Sequence, residues 1–334
     1  MYKKGKDIMS TDISKNIAGL RAKPIYQTVW DNASILIIYI IMFIILSLTV
    51  PYFFSWDNMI GISLAISTVG PVACTMMFCL ASGDFDLSVG AVVAFSGVLA
   101  AVMIRETGNV FIGGMFGIIA GGLIGFFNGV IIAKLKINAL ITTLAMMQIV
   151  RGLSFIISNG IAVGITKEQF YVIGNNDFAG VPIPVWIMIA CFIVFAILLK
   201  KTVYGRNTLA IGGNKEAARL AGINVDKIKI IIFMAQGLIA GTVGIVLASR
   251  MTSGQPNTSL GFELDVISAC VLGGISLSGG IGTILGVIVG VIIMGTVQNA
   301  MNLLNIPTFY QYVVRGIILL LAVLLDQLKQ RRTA

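Results

Sequence analysis

Residues 214–222, NKEAARLAG, stand inside a polar stretch of about 201–227 that has a long apolar run on either side, near 184–200 and near 228–249. Apolar runs of this length are long enough to cross a bilayer, so the polar stretch between them reads as a surface loop of a membrane protein. Within it, Asn214 is placed to cap a short helix and Glu216 falls in the first turn, where the helix dipole favours an acid. Gly222 supplies the stop. Ala217, Ala218 and Ala221 give a small-residue surface that fits a groove on another protein. A short surface helix without a partner is the bland alternative.

Composition supports the membrane reading. The chain has 334 residues, 57% hydrophobic and only 11% charged, with a mean hydropathy of +0.97. Soluble domains carry about 25% charged residues, so too few charges are present here to cover a water-facing surface. The 38 glycines suit helices that approach closely in lipid. Histidine is absent, which removes the commonest general base, proton relay and metal ligand. Cys74, Cys79, Cys191 and Cys270 are scattered through apolar stretches and read as small buried hydrophobes rather than disulfides or metal ligands.

Windows of about 20 apolar residues place ten spans, near 33–53, 59–81, 88–104, 110–133, 138–158, 184–200, 228–249, 265–277, 280–302 and 310–327. The expected class is therefore all-α, a polytopic membrane protein with a cytoplasmic segment 1–32, a transmembrane domain 33–328 and a tail 329–334. The eighth span is short, and reads as a re-entrant or broken helix, or one that borrows length from its neighbours. Lys and Arg cluster before the first span, after the fourth (Lys134, Lys136), after the sixth (Lys200 to Lys229) and at the C-terminus. Alternate loops hold only Arg105, Lys167 and Arg250. The positive-inside rule then puts both termini in the cytoplasm. The net charge of +9 is a topology signal and calls for no nucleic-acid partner. The leader has a long polar part and no small-residue cleavage site, unlike a signal peptide. Ile13, Ile17 and Leu20 at helical spacing fit a helix lying on the membrane surface, with a disordered leader as the alternative.

Residues 83–90, GDFDLSVG, echo 273–280, GGISLSGG, and Val150-Arg151-Gly152 echoes Val314-Arg315-Gly316. A duplicated core is the preferred reading, and chance likeness of glycine-rich segments is its competitor. Gly113, Gly117, Gly121, Gly125 and Gly129 form one ladder, and Gly282, Gly286 and Gly290 another. Tight helix packing is expected at both. Asp84 and Asp86, at the inner junction of the second and third spans, are candidates for the translocation path or gate. Helix capping by Asp86 or Ser88, with Ser276 and Ser278 matching, is the structural reading of the same residues. Arg151 and Arg315 are read as the basic residues inside spans, Arg151 in a path, an interface or a salt bridge, Arg315 near the headgroups. Glu263 and Asp265 are expected on a solvated rim or against an external partner.

No G-x-x-x-x-G-K-[ST] loop occurs, so the chain has no phosphate cradle of that kind. GDFDLSVG and GRNTLAIGGNKEAARLAGI resemble the signature and coupling-loop segments of the membrane subunits of bacterial ABC importers for ribose, galactosides and arabinose. CLASGDFDLSV, AKLKINALITTLA, ASRMTSGQP, ISACVLGG and NAMNLLNI are most similar to the arabinose branch of that group. The resemblance runs from about residue 30 to the C-terminus and is weakest in 159–183. It departs where the importer motif ends in Leu-Pro, which here is Met234-Ala235. It implies a permease of the bacterial inner membrane that moves a monosaccharide, L-arabinose first, by alternating access. The implied partners are a second copy of the chain, a periplasmic sugar-binding protein and an ATP-binding cassette ATPase. The chain itself would be non-catalytic and bind no cofactor, ATP being used by the ATPase. Glu216, Ala217, Ala218 and Gly222 are the expected coupling residues. An ion-coupled carrier or a receptor-like membrane protein would leave the loop helix and the signature segments unexplained.

Overall fold

A computed structural model describes residues 25–331, so the leader helix expected around Ile13, Ile17 and Leu20 lies outside the described residues. The chain divides into two compact units, Met1–Met42 and Phe43–Ala334. Of the first, the described part is the beginning of helix α1 (Ile25–Thr49). The second holds the remaining elements. In chain order these are α2 (Trp56–Ala81), α3 (Val89–Thr107), α4 (Val110–Lys134), α5 (Ala139–Ser158), α6 (Glu168–Asn175) and α7 (Ile183–Lys201). They continue with α8 (Val203–Gly213), α9 (Lys215–Leu220), α10 (Val225–Arg250), α11 (Phe262–Leu272), α12 (Ile284–Leu303) and α13 (Thr308–Arg331). Two small antiparallel ladders decorate the loops: β1 (Val163–Gly164) pairs with β4 (Ser253–Gly254), and β2 (Asp177–Phe178) with β3 (Val181–Pro182).

Among the described residues, eight helices are long and apolar enough to cross a membrane: α2, α3, α4, α5, α7, α10, α12 and α13. With α1 and α11, every expected span has its helix. The helices run furthest past the expected spans at the two ends of the bundle's sequence, where α1 begins at Ile25 and α13 continues to Arg331. Several helix starts are capped in place. Asn109 accepts from the Phe111 and Ile112 amides at the head of α4, and Asn138 from the Leu140 amide at the head of α5. Such caps matter in lipid, where an unpaired backbone group has no water to turn to.

Both glycine ladders are packing surfaces, as expected. A methyl group at Gly121 would lie 2.5 Å from the Gly237 carbonyl oxygen, and one at Gly129 would lie 2.7 Å from the Ile230 Cα. A methyl at Gly125 would strike the Phe233 carbonyl. Helices α4 and α10 therefore touch backbone to backbone, which only glycine permits. On the other side, Gly286 and Gly290 of α12 meet the backbone of Gly273 and Ala269, at the end of α11.

Helix α11 settles the short eighth span. It has 11 residues, about 16 Å at 1.5 Å per residue, which is too short to cross alone. After Leu272 the chain leaves the helix and runs without regular structure to Thr283. Ile275 and Ser276 in this run are buried, as non-helical backbone at membrane depth must be. The most enclosed helices are α2 and α3, and the least enclosed of the eight is α13.

Candidate functional site

The polar stretch folds into two helices, α8 and α9. Asn214 caps α9, its Oδ1 accepting from the Ala217 amide at 2.9 Å. At the other end Gly222 has φ +84°. The Gly222 amide donates to the Arg219 carbonyl and the Ile223 amide to the Ala218 carbonyl, both at 3.0 Å. This paired closure is a Schellman end, in which glycine takes the left-handed position without a Cβ clash. Glu216, Ala217 and Gly222 are exposed, and Glu216 pairs with Arg219 at 3.2 Å. Ala218 corrects the expectation that three alanines form one outer surface. It is 4% exposed and packs inward on Ile211 and Val225. What α9 offers outward instead is Leu220, 89% exposed.

Helix α8 sets α9 against the bundle. Tyr204 stacks on Phe78 of α2 with ring centroids 5.2 Å apart. Gly212 lies so close to the end of α2 that a Cβ would overlap the Ala81 carbonyl and come within 2.5 Å of the Gly280 nitrogen. The two echoed segments, GDFDLSVG and GGISLSGG, thus meet under one helix. The Gly280 amide donates to the Ala81 carbonyl at 2.9 Å, just before the first segment, and a Cβ on Gly279 would come within 3.1 Å of the Gly83 nitrogen, where the two segments touch. Their local turns also correspond. Asp86 Oδ1 accepts from the Ser88 amide at 2.9 Å, and Ser276 Oγ, at the matching position, from the Ser278 amide at 3.2 Å. These turns replace the expected caps. Ser88 makes no side-chain cap to α3, and α12 is capped by Thr283 rather than by Ser276 or Ser278.

The embedded charges are all committed. Asp84 is buried and its Oδ2 lies 2.6 Å from Lys229 Nζ. The sequence groups Lys229 with the loop charges; it is instead a buried residue of α10. Its place one residue after the expected span start, between Ile228 and Ile230, was the sign of that. Asp86 also accepts the Ser88 hydroxyl at 2.6 Å, and Ser88 in turn accepts from Asn128 Nδ2 of α4 at 3.0 Å. Burial pushes the Asp86 carboxyl up to about 6, against the opposing pull of the Ser88 hydrogen bonds. Arg151 has other partners. Its Nη1 donates to the carbonyls of Pro256 and Thr258 at 2.6 and 2.8 Å, holding the loop that enters α11. Arg315 does not reach for headgroups, and Asp265 is not a rim residue: Nη1 lies 2.9 Å from Asp265 Oδ2, and both side chains are largely enclosed. The second echo is therefore one of sequence only, since Arg151 and Arg315 hold different kinds of partner.

An exposed, capped helix α9 is thus set by α8 against a bundle of apolar helices, beside two like turns. Residues 58–323 match the family model described as branched-chain amino acid transport system / permease component. The chain belongs to this permease family. It is 59% identical over 306 residues to the L-arabinose transport system permease protein AraH of Escherichia coli K12, covering 92% of this chain and 93% of that one. It is 54% identical over 316 residues to the L-arabinose ABC transporter permease protein AraH of Azospirillum brasilense, covering 95% and 93%. The ribose import permease protein RbsC of Bacillus subtilis is 41% identical over 291 residues, 86% and 90% of the two chains. No solved structure matches the permease.

Proposed function

We propose that the permease is the membrane-spanning subunit of an ATP-driven importer that carries L-arabinose across the bacterial inner membrane. The observation that carries the ATP-driven part is α9, a capped, closed helix with one large apolar side chain facing outward. The sugar follows from relatives named for L-arabinose that align over more than nine-tenths of the chain. With no phosphate-binding loop of its own, the permease takes its energy from a partner, an ATP-binding cassette ATPase seated on α9. The lysine-rich end faces the cytoplasm by the positive-inside rule. A periplasmic sugar-binding protein delivers the cargo at the opposite end, and a second copy of the permease completes the assembly.

The mechanism follows from the wiring. Closure of the ATPase moves α9, and the Schellman end and Asn214 cap make α9 too short and stiff to absorb the movement. Helix α8 passes it to Ala81 and Gly280, the joints between α2 and α3 and between α11 and α12. Alternating access is then the shift of these two helix pairs between discrete packings. Glu216, Ala217, Leu220 and Gly222 form the docking face; Ala218 seats the helix. Replacing Leu220 with Glu should leave the permease inserted while the ATPase no longer co-purifies with it. Full retention of the ATPase on Leu220→Glu would remove α9 from the docking role.

A further inference from the structure

A cavity of about 310 Å³ opens between α2, α11 and α12. That equals the liquid volume of about ten waters, ample for one sugar ring. Its lining runs along α2 from Gly61, near the start of that 26-residue helix, to Thr68 near the middle; Gly61, Ala65 and Asn302 are exposed, so the cavity opens at the surface and reaches into the bundle at Thr68. Its polar lining is Thr68, Asp265, Gln298, Asn299 and Asn302, and Phe262 and Val69 supply apolar wall. One wall is the head of α11, Phe262 and Asp265, at the end of that helix away from its break after Leu272.

The polar groups are incompletely used. Asp265 is 8% exposed; its Oδ2 holds Arg315, while Oδ1 is buried without a hydrogen-bond partner. A buried acceptor left without a donor is costly and calls for explanation. Among the described residues Gln298 has no hydrogen-bond partner either, and Asn302 uses its oxygen for Gln311 and keeps its amide hydrogens free. One acceptor and two amides set against an apolar wall match a neutral polyol, whose hydroxyls both donate and accept while its C–H faces need apolar cover. The charge of Asp265 is already balanced by Arg315, and no group of three metal-ligating side chains occurs among the described residues. A cation is therefore not the occupant. Beneath the cavity α2 is buried on every side from Val72 to Ala81, so along this helix the site is shut off from the lysine-rich end.

We infer that this cavity is the monosaccharide site of the translocation path, with Asp265 accepting a sugar hydroxyl and Gln298 and Asn302 donating to others. The inference rests on the importer reading above.

The test uses the permease reconstituted in vesicles with its ATPase and binding protein, measuring labelled L-arabinose moved per ATP hydrolysed. Gln298→Ala removes a side chain that holds nothing in the protein, so it tests the site without unsettling the fold. A fall of about 5-fold in sugar moved per ATP is expected, the size of one lost hydroxyl contact. Asp265→Glu keeps the charge opposite Arg315 but displaces the carboxylate, and should lower the same ratio. Wild-type ratios in both variants would overturn the site while leaving the importer reading intact. Failure of the unaltered complex to move L-arabinose, D-ribose or D-xylose would overturn the importer reading, and the site with it.

Discussion

Asp84 and Asp86 are two residues apart and are predicted to respond to the same substitution in opposite ways. Asp84 neutralises a buried lysine, so Asp84→Asn leaves Lys229 unpaired inside the bundle, a change that costs about 3–5 kcal/mol. The expected outcome is a sharp drop in folded permease by detergent melting, recovered by adding Lys229→Met. Asp86→Asn keeps an oxygen for the Ser88 amide and hydroxyl and removes a carboxyl that burial disfavours as an anion. Because the folded value is raised from 3.8 to about 6, the stabilisation from the neutral acid is fully present below the ordinary value and is lost as pH rises through about 6. Between about pH 4 and 6 the parent should therefore lose stability that Asp86→Asn retains; parallel melting curves for the two across that range would contradict this assignment. The sequence made both aspartates conspicuous as carboxylates in apolar surroundings. It could not name Lys229 as a partner, because the two residues lie in helices joined only by folding, and because a lysine near a span end also satisfies the positive-inside pattern.

Whole elements were more legible than their contacts. Ten apolar stretches became ten helices because bilayer thickness sets length and lipid demands internal hydrogen bonding. The glycine ladder on α4 was readable as a packing face for the same reason, though not its partner α10. Gly125→Val should lower the melting temperature, since the side chain meets the Phe233 carbonyl and overpacking costs about 1–3 kcal/mol. Gly114→Ala, with nothing within 4 Å, should not. Helix α9 was visible in its cap, acid and glycine, but its inward face was not, because six residues are too few to show a period. At Gly222 a Cβ has space and the left-handed φ is the obstacle, a strain of about 1–2 kcal/mol for other residues. Gly222→Asp is therefore expected to insert normally and move less sugar per ATP. An unchanged ratio in that variant would mean the Schellman end has no part in coupling.

At the scale of the molecule, three features are linked through α8 and α2. Helix α9 follows α8 in the lysine-bearing stretch, α8 packs on the end of α2 where the two echoed turns meet, and the polar cavity lies between α2, α11 and α12. The echo between 83–90 and 273–280 could be read from sequence, and the matching turns at Asp86 and Ser276 give it structural content. That the two copies touch each other, through Gly279 and Gly83, follows only from the fold. The measurement that bears most directly on this arrangement is uptake of labelled L-arabinose into vesicles holding the permease, with and without the ATPase and the sugar-binding protein. Uptake that requires both partners and ATP is the predicted result. Uptake by the permease alone under an imposed ion gradient would contradict it, and would leave α9 and its path to the echoed turns without a purpose.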